Sequence, residues 1–311
     1  MKTKIDYLNT VLKSLRLVWQ NKYLWILGFF SAGIIFLNNL SPQVRINIQR
    51  PYFLGSSLKE YFSNILDFFI GHPLRITIGI SVLALIFLIL IILGCLSQSA
   101  LIYAVHKETG KKKQKLHFWT SIRASYKFFW RILGIDLTFA LTILIVILVF
   151  LGPPVGLLVF QEKILISTML AFFGGLISFI LMIIAIFVLR YGAIIIVLED
   201  KGIMPSIAAA YKLLVKNPVS TIIVHVLLAI SSLILSCGYI LIFLILLIPL
   251  VLVAIILWLI LHYLTIPVML ILIIAASLTI AAVTAGLISA FESTAWTLTY
   301  KQLKSRGFKL N

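Results

Sequence analysis

Five polar side chains stand inside otherwise apolar stretches of this chain: Gln98, Asp136, Arg190, His225 and Glu292. Ionisable and strongly polar groups at membrane depth are costly, so each is by default a candidate for chemistry or for a specific pairing. Two carboxylates and one guanidinium allow an ion pair. Asp136 and Arg190 fall in one predicted hairpin, and Glu292, from the next, is the other acid within reach of Arg190. One reading is a structural ion-pair knot that closes one end of a helix bundle. The other is a polar pocket for a lipid headgroup or a small amphiphile. His225, in Val224-His225-Val226, reads more simply as an interhelical histidine than as a ligand.

Catalytic patterns are absent from the rest of the sequence. The nine carboxylates are spread along the chain, and their closest pair, Glu199-Asp200, is adjacent, so the two cannot face each other on a helix. His72, His106, His117, His225 and His262 show no metal-ligand spacing. Neither a Walker A sequence nor a Gly-x-Ser-x-Gly elbow occurs. Cys95 and Cys237 lie within apolar runs, as small buried hydrophobes do. The expectation is a non-enzymatic protein without cofactor or metal; an intramembrane hydrolase is the lesser alternative, left open because polar catalytic groups can be contributed by separate helices.

The elements that position these residues follow from hydropathy. Asn217 to Phe291 runs for 75 residues without Asp, Glu, Lys or Arg. About 20 helical residues cross the hydrocarbon of a bilayer once, so this run must turn around. The chain is 62% hydrophobic and 11% charged, with a mean hydropathy of +1.16, against about 25% charged residues in soluble domains. Charge-free windows predict six spans: 23–40, 76–105, 137–160, 164–189, 219–246 and 266–291. The net charge of +17 sits mainly between these runs, where it orients the protein and attracts anionic lipid; nucleic acid is not expected. Six spans place 21 of the 26 Lys and Arg on one side and 5 on the other. The positive-inside rule then puts both termini in the cytoplasm. Residues 1–20 lack the layout of a cleaved signal peptide, so the first span is expected to remain as an anchor. Lys111, Lys112, Lys113 and Lys115 form a basic cluster and are candidate anionic-lipid contacts.

Internal similarities among three segments organise the spans. Ser121-Ile122-Arg123-Ala124-Ser125-Tyr126-Lys127 and Ser206-Ile207-Ala208-Ala209-Ala210-Tyr211-Lys212 share Ser-Ile-x-Ala-x-Tyr-Lys, and residues 15–21 resemble 211–217 in pattern. Each precedes an odd-numbered span. The fold expected is therefore all-α, a single polytopic domain over 1–311. It would hold six transmembrane helices as three parallel hairpin repeats (about 5–105, 119–198 and 203–300), each led by an amphipathic cytoplasmic helix. Residues 41–73 form an outer loop whose apolar residues recur at helical spacing, predicting a helix on the outer surface. Gly152, Pro153 and Pro154 are expected to break the chain before 161–163, and glycines 152, 156, 174 and 175 to serve close helix packing. Residues 247–265, with Pro249 and Pro267, read as extended helix ends or an interfacial excursion, with re-entrance the alternative.

The unit of an amphipathic Ser-Ile-x-Ala-x-Tyr-Lys-Leu helix, an Asn, a hydrophobic hairpin and then Val197-Leu198-Glu199-Asp200-Lys201-Gly202 resembles the six-span bacterial proteins grouped with the membrane domain of glycerophosphoryl diester phosphodiesterases. The resemblance implies a bacterial cytoplasmic membrane protein; it carries over no catalytic residue, since the phosphodiesterase barrel of some relatives has no counterpart here. The function expected is a membrane scaffold or accessory protein of the cell envelope, with lipids and other membrane proteins as partners. A lipid or amphiphile carrier using the polar cluster is the alternative. A carrier calls for a water-reachable cavity ending at Asp136, Arg190 and Glu292, a scaffold for those groups packed on one another.

Overall fold

Hydrocarbon offers no hydrogen bonds to a peptide group, so a long apolar chain satisfies its backbone by coiling. The structure, a computed structural model, describes residues 6–38, 73–110, 116–161, 164–261 and 265–305, and among these it is helical throughout with no strand. In order the helices are α1 (Tyr7–Gln20), α2 (Tyr23–Asn38), α3 (Pro73–Glu108), α4 (Phe118–Ser125), α5 (Phe129–Gln161), α6 (Ile164–Glu199), α7 (Ile203–Lys216), α8 (Pro218–Leu261) and α9 (Thr265–Ser305). A single 3-10 turn, Tyr126–Phe128, joins α4 to α5. Among the described residues five helices have the length and apolar composition to cross a membrane, within α3, α5, α6, α8 and α9; Tyr23–Ala32 of α2 is a shorter apolar helix. The outer loop 41–73 lies outside the described residues up to its last position, as do Lys111, Lys112, Lys113 and Lys115.

The expected break at Gly152-Pro153-Pro154 does not occur. α5 continues through both prolines to Gln161. Pro154 has no N–H to offer the carbonyl of Phe150, which would leave that oxygen orphaned in hydrocarbon. α6 approaches there: a Cβ on Gly174 would collide with the Phe150 oxygen and stand 3.2 Å from its carbonyl carbon. Ser167 Oγ of α6 donates 2.6 Å to the Pro154 carbonyl. The neighbouring helix thus supports the proline-bearing one. The packing role expected for four glycines holds at Gly174 alone, because nothing lies within 4 Å of a Cβ at Gly152, Gly156 or Gly175. Residues 247–261 are a continuation of α8 through Pro249. At about 1.5 Å per residue its 44 residues reach about 66 Å, twice the hydrocarbon thickness.

Three hairpins pack as α2 with α3, α5 with α6, and α8 with α9. Each short amphipathic helix lies across one of them: α4 over α2 and α3, α7 over α5 and α6, α1 over α8 and α9. Asn ends two of these short helices in the same way. Asn21 donates both its backbone N–H and its Nδ2 to the Leu17 carbonyl, and Asn217 does likewise to Leu213, satisfying carbonyls that the helix end leaves open.

Burial is uneven along the spans. α3, α6 and α9 meet near the short helices, where Tyr191, Ile195, Ile196, Phe291, Trp296 and Tyr300 are buried. Tyr191 stands edge-on to Trp296 at 5.4 Å and its hydroxyl bonds Thr221 Oγ1 at 3.1 Å, giving a buried aromatic its polar partner. The α2–α9 seam is closed by glycines. A Cβ on Gly28 would meet the backbone of Gly286 and stand 2.9 Å from the Ala290 nitrogen; one on Gly286 would meet the backbone of Trp25 and Phe29. Small residues let helix backbones approach where no hydrophobic force favours one helix over lipid. Away from this end the spans open out. From Thr77 to Leu90 every residue of α3 is exposed.

Candidate functional site

α6 and α9 cross at the packed end, which brings Arg190 to Glu292. Arg190 Nη2 lies 3.5 Å from Glu292 Oε2, with side chains 21% and 24% exposed. Glu292 Oε1 accepts from Ser232 Oγ of α8 at 3.0 Å, so three helices meet on one carboxylate. Asp136 of α5 does not join them by an ion pair. Its Oδ2 accepts from the Cys95 thiol of α3 at 3.8 Å, while its Oδ1 is buried with no hydrogen-bond partner. The five candidates therefore separate. Arg190 and Glu292 pair, and Asp136 stands beside them against α3. Gln98, half-buried on α3, makes no hydrogen bond to the pair among the described residues. His225 is exposed on α8 and packs edge-on to Phe187 at 5.2 Å, with Trp296 at 6.3 Å. It is a ring contact rather than a member of the charge cluster.

A second polar system, of which the sequence drew attention only to Glu199 and Asp200, lies at the helix ends beside the short helices. Glu108 at the end of α3 accepts from Asn21 Nδ2 at 2.8 Å and from the Tyr23 hydroxyl. Glu199 at the end of α6 accepts from the Tyr300 hydroxyl, from Lys304 at 2.8 Å and from Lys201 at 3.1 Å. Lys301 donates to the His106 carbonyl at 3.0 Å and to Thr109 Oγ1 at 2.7 Å. Asp200, at φ 56°, accepts from Arg131 and lies 3.4 Å from Lys127 Nζ. The Arg131 guanidinium, with help from Lys127, holds the Asp200 carboxyl below the usual carboxylate range. The partners in these contacts stand up to 195 residues apart. The visible signal was the recurrence of Glu with a following Gly at the ends of α3 and α6, Glu108-Thr109-Gly110 and Glu199-Asp200-Lys201-Gly202.

Between α5 and α6 runs a groove of about 280 Å³, open on one side and almost wholly apolar. Ile135, Thr138 and Thr142 form one wall and Ser178, Ala185 and Leu189 the other, with Ile207 of α7 at one end. Thr138 and Thr142 turn their hydroxyls back to the carbonyls of Gly134 and Thr138, at 2.7 and 2.8 Å, and so present methyl groups. Neither Asp136, Arg190 nor Glu292 lines the groove. Among the described residues no three His, Cys, Asp or Glu side chains cluster as metal ligands would. Comparison with known protein families, with curated proteins and with solved structures finds no match to this chain.

Proposed function

We propose that this chain is a non-enzymatic integral membrane scaffold or accessory protein, of the bacterial cell envelope if the family resemblance is followed, embedded with both termini in the cytoplasm. One observation carries the reading: Arg190 and Glu292 are packed on each other, with a serine on the carboxylate, and the apolar groove nearby does not open onto them. A carrier needs its charges facing a path; these face each other. The architecture we favour is six spans in three parallel repeats, with α2 as the first span. Its support is a shared register. Thr10, Ser121 and Ser206 are buried, as are Ser14, Ser125 and Ala210 one turn later, and Val18, Phe129 and Leu214 after them. α4 and α7 each lie across the hairpin before them in sequence, and α1 lies across the hairpin of α8 and α9. That closes the three units in a ring.

The carrier alternative draws on Asp136, whose buried Oδ1 lacks a partner. The two separate in one assay. Purified protein in vesicles of phosphatidylcholine and phosphatidylglycerol, with a fluorescent lipid in both leaflets, is challenged with an impermeant quencher. A scaffold leaves half the fluorescence protected, as in protein-free vesicles; progressive loss of the protected half would overturn the proposal in favour of lipid movement.

A further inference from the structure

The α5–α6 groove has a charged continuation that its apolar lining alone would not reveal. Arg131, Ile135, Thr138 and Thr142 follow the spacing i, i+4, i+7, i+11 and so share one face of α5. The last three line the groove; Arg131 stands one turn beyond its end, at the level of the short helix α7. Charge there is in surplus. Lys127 and Arg131 share the single carboxylate of Asp200, and Lys201 and Lys304 share that of Glu199. Four cations meet two acids, and Lys127 and Lys304 remain more than half exposed. An apolar channel running into the membrane from a site with net positive charge matches a molecule with one hydrocarbon tail and one anionic head. At about 30 Å³ per water-sized group, 280 Å³ accepts roughly nine methylenes. That is a large part of an acyl chain but not two.

We infer that the α5–α6 groove holds one acyl chain of an anionic glycerophospholipid of the same leaflet, its phosphate resting on Lys127 and Arg131. This rests on the scaffold reading and names the lipid it would retain. The thiol, the Asp136 carboxylate and the Arg190–Glu292 pair take no part. The bound lipid would fill the space that the two helices leave beside Ala185.

Wild-type protein is incubated in phosphatidylcholine vesicles containing phosphatidylglycerol that carries a diazirine on one chain, irradiated and mapped by peptide mass spectrometry. Crosslinks should concentrate on 135–147 and 178–189. Native mass spectra should show one phosphatidylglycerol retained in preference to phosphatidylcholine. Ala185→Phe, which places a ring in the groove, should weaken that retention about tenfold, and Lys127→Gln should reduce the preference for phosphatidylglycerol about fivefold. Crosslinks spread evenly over all spans would overturn the inference even if neither variant folds, and so would Ala185→Phe binding like wild type. The scaffold reading fails separately, by loss of the protected fluorescence in the quencher assay.

Discussion

Replacing Arg190 with alanine tests the innermost charge pair. At 3.5 Å, and with an effective dielectric of about 20, the gross attraction between Arg190 and Glu292 is about 5 kcal/mol. Desolvation of both groups offsets much of this. Surface pairs contribute about 0 to 1 kcal/mol, and breaking a fully buried pair costs about 3 to 5. Side chains about a fifth to a quarter exposed place this one between those limits, so the expected loss for Arg190→Ala is about 2 kcal/mol. By the scaling of domains of similar size, that lowers the melting temperature by about 4 to 6 °C. Most of the loss comes from Glu292, which keeps only the Ser232 hydroxyl. Adding Glu292→Gln, which preserves an acceptor for Ser232 and removes the charge, should therefore recover about half of the shift. Asp136→Asn alone should be neutral or stabilising, since Asp136 has no ion-pair partner and one orphaned oxygen. The measurement is tryptophan fluorescence on heating in detergent. A wild-type melting temperature in Arg190→Ala, or losses from Arg190→Ala and Glu292→Gln that simply add, would refute the pairing.

Gly28→Ala or Gly286→Ala should cost about 2 kcal/mol by forcing α2 from α9 at backbone atoms that cannot yield, whereas Gly79→Ala, facing open space, should leave the melting temperature unchanged or raise it. Asp200 has its carboxyl pKa lowered in the folded state, so its contribution is complete above the ordinary value of about 3.9 and is lost as pH falls through the lowered one. Asp200→Asn, which tolerates the same positive φ, should melt below wild type at pH 6, and the gap should close as acid protonates the folded-state carboxyl below its ordinary range; a gap unchanged by acid would contradict the Arg131 contact. In a background with Cys95 and Cys237 replaced, cysteines at Lys127 and Lys212 should resist an impermeant thiol reagent in intact cells, and labelling of either from outside would reverse the proposed orientation.

That these segments are helices was largely legible in the sequence, because hydrocarbon compels an apolar run to coil whatever its neighbours are; their ends were not, since α6 runs to Glu199, α8 to Leu261 and α9 to Ser305, where 189, 246 and 291 were expected. The short amphipathic helices could be read too, since a period near 3.6 is a property of local order alone. Local rules erred at Gly152-Pro153-Pro154. A proline is a breaker by its own geometry, yet α5 runs on past both to Gln161 with α6 packed close at Gly174 and Ser167 bonded to the Pro154 carbonyl. The same limit governs the polar residues. Depth in the membrane marked Asp136, Arg190 and Glu292 as unusual, but Arg190 had two acids to choose from, and the crossing of α6 with α9 decided for Glu292. Glu108 escaped notice, and Glu199 was read only as half of an adjacent pair and part of a motif, because a carboxylate at a helix end looks solvated until a distant tyrosine, asparagine or lysine packs onto it. Sequence thus determined which segments must be helices in a membrane, a question of hydrophobicity and backbone satisfaction within each segment. Which side chains meet depended on helix crossings set by small residues tens to hundreds of positions apart, and that only tertiary packing could decide.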